Sequence, residues 1–168
     1  MLKSRLRLHP TIHCVSHCVR RAYLCGSGNR YEYRRHWVED KLLELARIFA
    51  VDICAYAIMS NHYHVVFHID SEKAESWSQA EVIDQWHQLF SGTLFSQRFS
   101  QGEELSTAQQ KLLNKHVEEW RLRLMNISWF VRILNETIAR KANKEDGCTG
   151  RFWEGHVKSH KPYLTSPP

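Results

Sequence analysis

The chain has 168 residues, 43% of them hydrophobic and 24% charged, with a formal net charge of +5. That is the length of one domain with an ordinary globular balance, which excludes a largely disordered chain. Charges interrupt the N-terminal segment too often for a secretory leader, and no apolar run approaches a membrane span, so a cytoplasmic protein with no membrane partner is expected.

The charge is unevenly placed. Residues 1–31 carry Lys3, Arg5, Arg7, Arg20, Arg21 and Arg30 and no acid, and 120–144 carry Arg121, Arg123, Arg132, Arg140, Lys141 and Lys144 against Glu136 alone. The stretch 70–119 leans acidic. Such a pattern suits a polyanion contacted at chosen places, and equally suits solvated helix faces. The cysteines, Cys14, Cys18, Cys25, Cys54 and Cys148, are odd in number and read as reduced thiols.

In chain order, 12–19 is short, β-branched and alternating, which predicts a strand. A Gly/Ser/Asn loop at 26–29 precedes a helix over 33–50, where Val38, Leu42, Leu45 and Phe49 recur at helical spacing. Strands follow over 52–59 and 62–69. The Ser60-Asn61 turn between them is too short for anything but an antiparallel pair. Residues 70–78 read as polar loop, and 79–90 and 106–125 as helices, with Ser106 capping the second. A last helix capped by Ser128 is expected to run to about 143, lined by Phe130, Leu134 and Ile138 and ended by Glu145-Asp146-Gly147. Residues 151–158 read as an edge strand or loop, and the prolines after 161 forbid a helix there. The division is a basic segment 1–11, a single α+β domain over 12–158 and a disordered tail 159–168.

The strongest local feature is Asn61-His62-Tyr63-His64. Alternate strand residues share a face, so His62, His64, Val66 and His68 point one way, and Tyr63, Val65, Phe67 and Ile69 point to the core. Two strand residues rise about 6.6 Å, close enough for two imidazoles to converge on one ion. His68 stands about 13 Å from His64, too far to join them, and is a neighbour that substrate would touch. By itself the spacing fits two half-exposed sheet histidines as well as a ligand pair. A two-histidine site needs further ligands from elsewhere, water or substrate. Imidazole suits manganese better than magnesium. The cluster His13-Cys14-Val15-Ser16-His17-Cys18 is not read as a zinc site. In a strand, its histidines are too far apart for one ion, as are its cysteines.

The run Ala55-Tyr56-Ala57-Ile58-Met59-Ser60-Asn61-His62-Tyr63-His64-Val65-Val66 resembles the His-hydrophobic-His (HUH) segment of the single-tyrosine transposases. The closest likeness is to the group associated with repetitive extragenic palindromes. His13 to Cys25 resembles that family's first strand and basic turn. Trp129 to Trp153, with Leu134-Asn135-Glu136, Ile138-Ala139-Arg140 and Gly150-Arg151-Phe152-Trp153-Glu154-Gly155, resembles the stretch leading to its active-site helix.

The resemblance implies a ferredoxin-like antiparallel sheet packed with helices, and single-stranded or hairpin DNA as partner. It also implies DNA transposition through a 5′-phosphotyrosine link, with His62 and His64 holding a divalent cation, magnesium or manganese, against the scissile phosphate. On this reading Tyr63 is a core-facing spacer. Arg20, Arg21, Arg151 and Lys158 are candidate phosphate contacts or solvated charges, and Trp153 is a base-stacking surface or a core residue. The family's nucleophilic tyrosine lies on a helix beyond the segment matching Arg151 to Gly155. In that region this sequence offers only Tyr163, after Pro162 and without the family's Asn-Pro partner. The expectation is therefore a fold lacking the C-terminal active-site helix, with apolar sheet surface laid bare and marginal stability. Its function would be that of a transposase-like DNA binder that cleaves poorly or not at all. The alternative is an inert fragment of a decayed transposase gene.

Overall fold

The computed structural model describes residues 11–19, Leu24, 32–155 and the backbone of 158–160. Four strands and six helices are found among them: β1 (Thr11–His17), α1 (Arg34–Ile48), β2 (Val51–Ile58), β3 (His62–Ile69), α2 (Ser71–Ser76), α3 (Gln79–His87), α4 (Leu94–Ser100), α5 (Thr107–Leu124), α6 (Ile127–Asp146) and β4 (Lys158–His160). The sheet order is β2-β3-β1-β4 and each neighbouring pair is antiparallel. Two crossovers interleave: β1-α1-β2 encloses β3, and β3 to β4, by way of α6, encloses β1. This is the ferredoxin-like split arrangement. The helices α2–α5 are inserted in the second crossover.

Alternation along β3 places the sheet. Tyr63, Val65 and Phe67 are fully buried, while His62, His64, Val66 and His68 are half-buried on the opposite face. The buried face receives Val38, Leu42 and Leu45 of α1 and Phe130, Leu134 and Ile138 of α6. Phe130 is the keystone, edge-on to Phe49 at 5.1 Å and to Phe67 at 4.9 Å between centroids. A buried guanidinium also binds the two helices. Arg34, at the start of α1, pairs with Glu145 (2.8 Å) and Asp146 at the end of α6.

The insertion has its own packing. Trp86 and Trp120 stack at 5.3 Å over Val82, Ile83, Leu113 and Val117. Capping boxes at Ser78/Glu81, Thr93/Ser96 and Ser106/Gln109 start α3, α4 and α5. Each satisfies amide donors that a helix start leaves without partners. Arg121 ties α5 to the end of α2 by donating from Nη1 to the carbonyls of Ala74 (2.6 Å) and Trp77 (2.7 Å).

Several expectations are corrected. The segment 70–78 is not loop throughout: Asp70 accepts from the Lys73 amide and starts α2. Helix α4, unforeseen, begins at its Thr93 cap. The cap of α6 is Asn126, not Ser128. Asn126 Oδ1 accepts from the amides of Ser128 (2.9 Å) and Trp129 (3.3 Å), so Ser128 sits inside the first turn. The helix runs on to Asp146, where Gly147 at φ 61° closes it in the left-handed conformation.

Strand β4 carries the sheet to His160, past the boundary drawn at 158. On the face away from the helices stand His13, Val15 and His17 of β1 and His62, His64, Val66 and His68 of β3. Cys14, Cys54 and Cys148 form no disulfide among the described residues. Cys25, Arg20, Arg21 and Tyr163 lie outside the described residues, as does the tail beyond His160. Among the described residues no helix is long and apolar enough to cross a membrane.

Candidate functional site

The open face of the sheet is built by pairing. His17 stands opposite His62 and Val15 opposite His64, so β1 brings His13, Val15 and His17 to the same side as the β3 histidines. Across β3, Ala57 pairs with His64 and Ala55 with Val66. Both alanines are exposed, and their small side chains leave the imidazoles standing above the β2 flank.

Four imidazoles therefore form one cluster. The His62 and His64 rings meet edge to face at 5.0 Å, His17 stacks on His62 at 4.7 Å, and His13 stacks on His64 at 5.1 Å. Sequence reasoning placed His62 and His64 on a common face but set His13 and His17 aside. They are too far apart along β1 to act with each other, yet each lies against a β3 histidine. The signal was the same alternation read across two strands, which requires the register.

Hydrogen bonds orient both rings. His62 Nδ1 lies 2.7 Å from Asn61 Oδ1, an oxygen that can only accept, so Nδ1 carries the hydrogen and Nε2 the lone pair. His64 Nδ1 lies 2.9 Å from His13 Nε2. Partial burial holds the pKa of His62 and of His64 below the usual imidazole value. The neighbouring histidines, His17 and His64 for the first and His13 and His17 for the second, push in the same direction. Both shifts favour the neutral imidazole, the form that binds a metal. Among the described residues no three His, Cys, Asp or Glu side chains form a ready-made ion cage. What the face offers is a pair of imidazoles, His62 and His64, flanked by His17 and His13.

Below the histidines, Tyr63 faces inward. Its hydroxyl donates to Asn135 Oδ1 at 2.7 Å, Asn135 Nδ2 donates to Ser16 Oγ at 3.1 Å, and the Asn135 carbonyl accepts from Trp153 Nε1 at 2.7 Å. Burial drives the Tyr63 pKa far above its ordinary value. Tyr63 is therefore a spacer in the core. Burial also pushes the Cys14 thiol up to about 11, which keeps it protonated and unsuited to zinc.

The other candidates are placed as follows. Trp153 is buried edge-on against Tyr63 at 5.5 Å, so the ring packs in the core and offers no face to a base. Arg151 is exposed, its guanidinium folded over Gly155, where a Cβ would come within 3.3 Å. Lys158 occupies the β4 position opposite Val15. His68 is held by Asp52 at 3.0 Å. Of the basic helical residues, Arg121, Arg123 and Arg140 pair with Glu118, Glu119 and Glu136 on their own helices. Lys141 lies over Trp37 at 4.2 Å and Arg132 over Trp129 at 5.4 Å.

No family model matches the chain. No curated protein matches it either. Among solved structures, the chain is similar to the "Structure of the REP associates tyrosine transposase bound to a REP hairpin", at 10% identity and a TM-score of 0.47. The similarity covers 94% of this chain and 58% of that one, so the chain spans little more than half the length of the structure it matches. The class of protein here follows from the strand order and pairing: an α+β domain whose ferredoxin-like sheet has one face under helices and a histidine cluster on the other.

Proposed function

We propose that the chain is a transposase-like DNA-binding protein. On this reading it takes single-stranded or hairpin DNA on the histidine face of its sheet, with a divalent cation held by His62 and His64. The observation that carries this reading is the pair itself. His62 and His64 stand side by side on the face of a central strand opposite the helices, within the His-hydrophobic-His segment that resembles the single-tyrosine transposases, while Tyr63 between them is locked in the core. A cation bound there would polarise a phosphoryl oxygen and offset phosphate charge. The chain's own residues do the rest. Asn61 orients His62, Ala55 and Ala57 leave room for a strand, and Arg20, Arg21, Arg151 and Lys158 are the cations proposed to meet phosphates.

A second observation favours binding over cleavage. Tyr56 pairs with Val65, which puts it on the helix side, where it donates to Glu39, and Tyr33 donates to Glu145 at the end of α6. With Tyr63 buried, none of the described tyrosines reaches the histidine face. We therefore favour a DNA-binding protein without a working nucleophile among these residues over a cleaving and rejoining enzyme.

The test incubates the purified protein with labelled single-stranded hairpin DNA and manganese. The sample is then run on native and denaturing gels. A native shift that weakens as salt rises, with no covalent band, is the expected result. A covalent band absent from His64→Ala would restore the enzyme reading. No shift at low salt from a folded sample would refute DNA binding.

A further inference from the structure

The contact between His13 and His64 has two possible senses, and they have opposite consequences. The rings are nearly parallel, 13° apart, with His13 Nε2 at 2.9 Å from His64 Nδ1. One nitrogen must carry the hydrogen and the other must accept. If His13 donates, the hydrogen of a neutral His64 sits on its Nε2 and closes that atom to a cation. If His64 donates, its Nε2 carries the lone pair. On the adjacent ring, His62 Nδ1 faces the Asn61 side-chain oxygen, an acceptor that favours the Nδ1–H form. Only the second sense leaves a lone pair on Nε2 of both rings.

We propose that His13 is a positioning residue for the metal pair. It accepts the Nδ1–H of His64, fixes that ring's tautomer and angle, and so leaves Nε2 as the ligand atom. A carboxylate, carbonyl or imidazole behind a ligating histidine has this orienting effect in metal sites generally. The role is one β1 can supply, because β1 pairs directly with β3 and is itself held between β3 and β4. The inference rests on reading His62 and His64 as the metal pair.

Two measurements test it. The first needs no metal: long-range nitrogen–proton NMR of protein labelled with ¹⁵N-histidine. The expected spectrum shows His64 and His13 both in the Nδ1–H form, and a His64 ring in the Nε2–H form would overturn the proposal. The second is manganese affinity by electron paramagnetic resonance for wild type, His13→Phe, His13→Gln and His64→Ala. Phenylalanine keeps an aromatic ring without an acceptor, whereas glutamine supplies an amide oxygen. His13→Phe should bind manganese about 10- to 100-fold more weakly at an unchanged melting midpoint, and His13→Gln should recover most of that loss. Wild type and His13→Phe binding equally well would remove His13 from the role. Wild type binding no better than His64→Ala would instead show the two-histidine site itself to be wrong, and the proposal would fall with it.

Discussion

The Tyr63 hydroxyl donates to Asn135 across 2.7 Å, linking the middle of the His-x-His strand to the middle of α6. Asn135 in turn donates to Ser16 on β1, so one amide holds three elements beneath the histidine face. Replacing Tyr63 with Phe leaves a buried acceptor without its donor, and should cost about 1–3 kcal/mol. Asn135→Ala should cost more, because it strips partners from both Tyr63 and Ser16. Urea denaturation measures both. Hairpin affinity should survive Tyr63→Phe, and a variant that kept its stability but lost DNA binding would contradict the spacer role.

Arg34 is 1% exposed, while its partners Glu145 and Asp146 are each about one-third exposed. Removing the cation with Arg34→Met should destabilise the α1–α6 pair by roughly 2–4 kcal/mol, below the full cost of breaking a wholly buried pair because water reaches the acids. Glu145→Gln should cost less, since Asp146 stays. Chemical denaturation of the two variants checks the order, and a larger loss for Glu145→Gln would refute it.

Cys14 gives a pH dependence. Its folded-state pKa is raised from 9.0 to about 11 by burial, so the folded state holds the proton more tightly than the unfolded state does. The stability this contributes is present below pH 9 and is lost as pH rises towards 11. Tyr63, raised from 10.0, adds a second loss at higher pH. Melting midpoints should therefore fall between pH 9 and 11, and Cys14→Ala should flatten the lower part of that fall. An unchanged slope in the variant would show that Cys14 is not its source.

Features encoded by near neighbours in the chain were legible before the structure. The core face of β3 follows from strict alternation, α1 from Val38, Leu42 and Leu45, and the start of α5 from Ser106. The misses are of two kinds. Helix ends were misplaced where two polar residues competed for a cap, as Asn126 and Ser128 do. Relations between distant residues were invisible. Nothing local says that His13 meets His64 in space, because the β1–β3 register is set by the pairing of Cys14 with Val65 and Ser16 with Tyr63 in the core. Arg34, in a run of basic residues, reads as solvated charge until the end of α6 is placed against it.

Metal preference is the sharpest consequence of the site's composition. If His62 and His64 hold the cation as proposed, two imidazoles with no carboxylate completing an ion-binding group among the described residues make a poor site for magnesium, which prefers oxygen ligands and sheds water reluctantly. The Asp52 carboxylate is engaged with His68. Manganese accepts mixed imidazole and oxygen coordination, and later first-row ions bind nitrogen more tightly still. Titration calorimetry on chelator-treated protein should therefore show manganese binding on the order of tenfold or more tighter than magnesium, with zinc competing for the same site. His62→Ala and His64→Ala should each abolish the manganese signal while leaving the helix-side core, and so the cooperative melt, intact. Magnesium binding as well as manganese would point to oxygen ligands and away from the histidine pair. Retention of manganese by both variants would place the ion elsewhere on the protein.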